Sequence, residues 1–133
     1  MKYIKKFNDF VNESSSDEIT LLSIKESGSM FGSSYYSIYV DDVHRFFSIN
    51  SSVNGIVGEI EYGIVDSKTV EIISIFIENK FRGEKYGKIA LNEFIRILKN
   101  PKIILKVTSK SKSFWVKMGF KPMSGSKEYY ELN

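Results

Sequence analysis

Hydrophobic and polar positions alternate with a period of two along most of the first half of the chain. The runs Ile19–Lys25, Tyr35–Val40, Arg45–Ile49 and Ile56–Val65 read as strands, with Tyr36, Ile38 and Val40 as the cleanest alternation. Gly28, Gly32, Asp41-Asp42 and Asn54-Gly55 fall between them as turn residues, so the spacing predicts an antiparallel meander. Val70–Ile77 differs. Ile72, Ile73, Ile75, Phe76 and Ile77 make it apolar on both faces, the composition of a strand buried in the middle of a sheet. Ahead of these strands, Ile4, Phe7, Phe10 and Val11 recur at near-helical spacing and Asn12–Asp17 breaks the pattern. Residues 1–16 are therefore expected to be an amphipathic segment with a linker, and residues 17–133 the folded domain.

After Ile77 the period changes from two to that of a helix. From Lys85 to Lys99, Tyr86, Ala90, Leu91, Phe94, Ile95, Ile97 and Leu98 fill one broad face, while Lys85, Lys88, Asn92, Arg96 and Lys99 fill the other. Asn100-Pro101 ends it. Ile103–Val107 follows as a short apolar run, and strand, helix and strand at this spacing imply a parallel pair joined by a right-handed crossover. Ser111–Met118 predicts a second short helix, closed by Gly119 as a left-handed cap with Phe120 packing back. Tyr129–Leu132 is the last strand. The expected fold is α+β, a mixed and mostly antiparallel sheet of six or seven strands with a central parallel pair and flanking helices.

Composition narrows the chemistry. The 133 residues are 42% hydrophobic and 14% aromatic, enough for one core. Cysteine is absent and His44 is the only histidine, which excludes a disulfide framework, a Cys/His zinc site and a cysteinyl-acyl intermediate. No apolar run reaches the roughly 20 residues that span a bilayer, so no membrane partner is expected and a cytoplasmic location is. The net charge of +3 is mild, but part of the excess falls between Lys80 and Lys121.

That basic stretch contains Arg82-Gly83-Glu84-Lys85-Tyr86-Gly87, a basic, glycine-bearing loop between a buried strand and a helix. In this order, unclaimed backbone N–H groups and the helix dipole converge on an anion. The dipole contributes about 0.3–1 kcal/mol per charge at an exposed end, and several N–H bonds would add to it. Gly83 and Gly87 permit close approach of backbone to ligand, and Arg82 serves either as a phosphate partner or as a structural clamp.

Val70–Ile77, then Phe81–Gly87, then Phe114-Trp115-Val116-Lys117-Met118-Gly119-Phe120 together resemble the GNAT superfamily of acetyl-CoA-dependent N-acyltransferases. The first two segments are similar to its strand and R-x-x-G-x-G/A loop, and the third to its aromatic-pair helix. The resemblance covers residues 56–132. It implies that the Ile75, Phe76, Ile77 end of the buried strand splays from its parallel neighbour and pairs with the pantetheine arm of acetyl-CoA. It implies further that the loop from Arg82 through Gly83, Glu84, Lys85 and Tyr86 to Gly87 binds the pyrophosphate, and that Phe114 and Trp115 flank the thiol end. Glu71 matches the position of a general base in some members.

Such a base has a purpose, since an amine of pKa near 10.4 is neutral in only about one molecule in a few thousand at pH 7. Glu59 and Glu61, alternating on the preceding strand, are rivals for the role. His44, with no partner near it in sequence, is expected at a surface or turn. The pattern also departs from the family. Lys85 stands at the loop's usual middle glycine, Trp115 at the position of a tyrosine that protonates the leaving thiolate, and no clear helix pair follows the first strand. The implied activity is acetyl transfer from acetyl-CoA to a primary amine by direct attack in a ternary complex. A non-catalytic acyl-CoA-binding or protein-interaction module of the same fold is the alternative. Nucleic acid is not favoured as a partner, and a homodimer is left open.

Overall fold

The computed structural model describes residues 17–24, 44–83 and 85–133. Among them run strands β1 (Ile19–Ile24), β2 (Arg45–Ser51), β3 (Gly55–Asp66) and β4 (Thr69–Ile77), helix α1 (Tyr86–Ile97), β5 (Lys102–Lys106), helix α2 (Lys112–Lys117), β6 (Lys121–Pro122) and β7 (Tyr129–Leu132). The strands form one sheet in the order β1-β2-β3-β4-β5-β7-β6. Every neighbouring pair is antiparallel except β4 and β5, which α1 joins as a parallel crossover. This is the mixed α+β sheet that the patterning predicts, with the doubly apolar run Val70–Ile77 at its centre. The two-residue strand β6 is too short to carry an alternation, so the pattern does not predict it. The expected strand Tyr35–Val40 and the segment 1–16 lie outside the described residues.

One face of the sheet carries the hydrophobic core. Ile49, Ile60, Tyr62, Val70, Ile72, Ile103 and Leu105 pack against Ala90, Leu91 and Phe94 of α1 and against Trp115 and Phe120. Phe94 is fully enclosed, and the rings of Phe47 and Tyr62 meet it edge-on at 6.0 and 5.1 Å between centroids. Burying one such side chain stabilises by about 1.5–3 kcal/mol, so this helix face is what holds α1 to the sheet.

Strand β4 serves this core along its whole length only because its register slips. Tyr62 of β3 pairs with Ile72, but the next residue, Glu61, pairs with Ser74, which leaves Ile73 as an extra residue. The bulge reverses the alternation, so Val70 and Ile72 before it and Ile75 and Ile77 after it all turn to the core side. The opposite face receives Glu71, Ser74 and Phe76, facing Gly63, Glu61 and Glu59 of β3.

Helix ends follow local chemistry. Beyond α2, Gly119 takes φ 99°, its N–H bonds the Val116 carbonyl at 3.0 Å, and the Phe120 N–H bonds the Trp115 carbonyl at 3.0 Å. These are the paired bonds of a glycine-closed helix end, and they seat Phe120 in the core as the sequence suggests. At the rim of the domain, Asp17 accepts hydrogen bonds from Ser51 Oγ at 2.6 Å and from the Tyr86 hydroxyl at 2.5 Å, tying the chain just ahead of β1 to the first residue of α1.

Candidate active site

Parallel pairing between β4 and β5 begins at Thr69–Lys102 and stops at Ile72–Leu105. From Ile75 to Ile77, the ladder of β4 with β3 continues while the one with β5 has ended, so the two strands separate there. A cavity of about 600 Å³ opens beyond the end of this edge, walled by Ile77 and Phe81 on one side and by Phe114 and Met118 on the other. An adjoining cavity of about 250 Å³ runs back along the strand and adds Ile75, Ser111 and Trp115 to the walls.

Four cationic side chains line the larger cavity, those of Arg82, Lys85, Lys88 and Lys117. The first i→i−4 bond of α1 runs from the Ile89 N–H to the Lys85 carbonyl at 3.1 Å, so the helix leaves the N–H groups of Tyr86, Gly87 and Lys88 unclaimed, and all three residues line the cavity. Lys85 sits just before the helix in the left-handed conformation, φ 68° and ψ 11°. A residue with a Cβ is about 1–2 kcal/mol less favourable there than glycine, so the loop keeps the backbone course of a glycine while adding a charge. Gly83 has φ 86°, and Arg82 folds back so that its Nε donates to the Ile77 carbonyl at 2.9 Å. Of the two roles open to Arg82, clamping the loop to β4 is the one its contacts establish.

Residues singled out in the sequence divide as follows. Ile77, Arg82, Gly83, Lys85, Tyr86, Gly87 and Phe114 come together around the larger cavity, and Ile75 and Trp115 join them in the smaller one. Phe76 points to the opposite face of the sheet, across from Glu59. Glu84 lies outside the described residues. Trp115 is almost wholly buried between Phe114 and Phe120, with ring centroids 4.9 and 5.3 Å away, and belongs to the core as much as to the cleft. Lys88 and Met118 are additions that the sequence does not announce. Lys88 lies on the polar side of a helical pattern, which says nothing of a cavity at the helix start.

On the sheet's other face stand three buried carboxylates, Glu59 at 3%, Glu61 at 1% and Glu71 at 0% exposure. Glu71 is thus no solvated strand-end charge but sits in mid-sheet, between Gly63 of β3 and Ile104 of β5. Glu61 is the diagonal neighbour of Glu71 and lies directly across from Ser74 at the bulge. Its Oε2 lies 2.6 Å from His44 Nδ1, whereas its Oε1 is buried with no hydrogen-bond partner among the described residues. His44 therefore has a carboxylate partner 17 residues away, which the order of the sequence conceals. No group of three or more potential metal ligands is found among the described residues.

A family model described as the acetyltransferase (GNAT) family matches residues 9–120. Solved structures share the fold. An acetyltransferase of the GNAT family from Staphylococcus aureus Mu50 superposes with a TM-score of 0.55 at 24% identity, over 68% of this chain and 67% of its own. An acetyltransferase from Thermus thermophilus gives 0.59 at 20% identity, over 70% and 66%. The Bacillus subtilis N-acetyltransferase YlbP in complex with coenzyme A gives 0.54 at 14% identity, over 66% of each chain. No curated protein matches the sequence.

Proposed function

The chain belongs to the GNAT acetyltransferase family, and from that premise we infer that it moves an acetyl group from acetyl-CoA to a primary amine by direct attack in a ternary complex. The observation that carries this reading is the cleft where β4 leaves β5, rimmed by four cations and by the unclaimed N–H groups of α1. In it, the N–H groups of Tyr86, Gly87 and Lys88 and the side chains of Lys85, Lys88 and Lys117 hold the pyrophosphate, while the Arg82 N–H is already bonded to the Asn79 carbonyl. The edge of β4 from Ile75 to Ile77 that β5 has left pairs with the pantetheine amides, as an added strand would. Phe114 and Trp115 flank the thiol end.

The acyl end then lies near the bulge, with Glu71 reached through the gap between β4 and β5. Glu71 is the carboxylate that takes a proton from the attacking nitrogen. No cysteine is available for an acyl-enzyme, so the amine attacks the thioester directly. A second reading, a module that binds acyl-CoA without turning it over, is favoured by Trp115, whose indole cannot protonate a thiolate.

Thermal shift and thiol release test both. Acetyl-CoA is expected to raise the melting temperature of the wild-type protein and to leave Gly87→Glu unmoved. A Cβ at Gly87 meets only Phe114, at an ordinary 3.5 Å, so the variant's added carboxylate, not a backbone clash, removes the anion site. No shift in the wild-type protein sinks the cofactor assignment. A shift without thiol release across alkylamines and lysine peptides decides for the binding module. Glu71→Gln is expected to keep the shift and lose turnover by about 10²–10⁴-fold.

A further inference from the structure

Acetyl transfer to an ammonium ion disposes of two protons. One must leave before the nitrogen has a lone pair to attack with, and it ends in solvent. The other leaves the nitrogen after the C–N bond has formed, and a proton must reach the thiolate as the C–S bond breaks. The two tasks call for different surroundings, the first for a base in touch with water and the second for a base sealed inside. The second face of the sheet offers one of each. Glu71 is fully buried, and the Glu61–His44 pair runs from a buried carboxylate to an imidazole whose side chain is 20% exposed.

We propose that His44, held by Glu61, takes the first proton from the acceptor's ammonium group and releases it to solvent, leaving Glu71 to carry the second. This assignment rests on the acetyl-transfer reading above. A distance of 2.6 Å between Nδ1 and a carboxylate oxygen requires a proton between them. In the neutral ring that proton occupies Nδ1, and the lone pair is left on Nε2, the arrangement in which a carboxylate fixes a histidine's tautomer and stabilises its cation. Among the described residues Nε2 has no hydrogen-bond partner. The ammonium loses H⁺ to Nε2, and the imidazolium so formed is balanced by Glu61. The free amine attacks the acyl carbon, the C–N bond forms, and the adduct gives its extra proton to Glu71. The C–S bond breaks and the thiolate recovers a proton from Glu71, a duty that Trp115 cannot perform. His44 passes its own proton to water.

Two features place the pair at the reaction. Glu61 faces Ser74 at the bulge, one step from the Ile60–Ile75 pair, and Ile75 lines the cleft from the other face. Among the described residues no ladder joins β4 to β5 beyond Ile72–Leu105, and Glu71, paired with Ile104, stands one residue before that separation. The second feature is Oε1 of Glu61, which has no partner among the described residues. A buried carboxylate oxygen without a partner is costly, and it suits a position that receives an ammonium hydrogen when the acceptor arrives. On the same face as Glu61 stand the buried Glu59 of β3 and Glu71 of β4.

The test uses the full chain with acetyl-CoA and two probe acceptors of similar size, ethylamine and 2,2,2-trifluoroethylamine, the second neutral at pH 7. His44→Gln and Glu61→Gln are expected to bind acetyl-CoA normally and to lose about a hundredfold or more in kcat/KM with ethylamine. The same variants should come within about tenfold of wild type with trifluoroethylamine, which arrives without the first proton. Glu71→Gln should fail with both. Equal losses with the two amines, or no loss with either, overturn the assignment to His44 while leaving acetyl transfer standing. Failure of acetyl-CoA to bind the wild-type protein overturns both readings. A second measurement decides the pair whatever acceptor is natural. His44 is the only histidine, so ¹⁵N spectra of the uniformly labelled protein report one imidazole. They should show Nδ1–H with a bare Nε2 in the neutral ring and lose that tautomer preference in Glu61→Gln. An Nε2–H tautomer in the wild-type protein overturns the proposal.

Discussion

The two faces of one sheet are built to opposite rules. Toward α1, β3 and β4 present Ile60, Tyr62, Val70, Ile72 and Ile75, a hydrocarbon layer closed by Phe94. One residue away along the same strands, the reverse face buries Glu59, Glu61 and Glu71, and one oxygen of Glu61 has no partner among the described residues. Stability is concentrated on the first face, and the second gives some of it up to keep charges out of water. The backbone of β4 carries both sides, turning Val70, Ile72 and Ile75 to the core and Glu71 and Ser74 away from it.

Breaking the first face should have the largest effect. Phe94→Ala removes a fully enclosed ring that touches both Phe47 and Tyr62 and is expected to lower stability by about 3–5 kcal/mol in urea unfolding. A loss below about 1 kcal/mol would mean that α1 does not depend on this contact. The second face should respond with the opposite sign. Replacing both partners, Glu61→Met with His44→Leu, exchanges a partly unsatisfied buried carboxylate and its histidine for apolar side chains, and should raise stability by about 1 kcal/mol while lowering turnover. A fall in stability would show that Glu61 is a structural ion and would remove the contrast.

The smallest effect should come at the rim, where Asp17 joins the ends of β1 and α1. Hydrogen bonds, chiefly from Ser51 and then from Tyr86, hold its carboxyl below the usual carboxylate range. Its folded value therefore lies below its unfolded one. The stability it adds is fully present above the unfolded value, near pH 4, and is lost as the pH falls through the lower folded value. Asp17→Asn should accordingly lower the melting temperature slightly at pH 7 and leave it nearly unchanged near pH 2. An equal difference at both pH values would refute the linkage.

How much of this can be read in the sequence depends on how local each signal is. The strand, basic loop and helix that form the cleft are consecutive, so Arg82–Gly87 shows by spacing that an anion can bind at a helix start, and the flanking segments supply the resemblance that makes it a CoA site. The glycine-closed end of α2 is equally local. The His44–Glu61 contact spans two strands, and its partners are 17 residues apart with nothing periodic between them. Lys88 belongs to the cleft because of where α1 starts relative to α2, a matter of packing and not of pattern. The conformation of Lys85 lies between the two. Its place at the family's usual middle glycine is legible in the sequence, and only the backbone shows that the left-handed dihedral is kept.

The extra residue at Ile73 bears on how such a protein can change over time. Because alternation reverses there, deleting that single residue would turn Val70 and Ile72 outward relative to Ile75 and Ile77, exchanging hydrocarbon for carboxylate on half of the strand. Ile73→Val alters a side chain by one methylene and leaves the phase intact. Mutational drift across β4 is thus open to substitution and closed to changes of length, and the chain length between Glu71 and Ile75 is what a lineage keeping this site has to inherit unchanged.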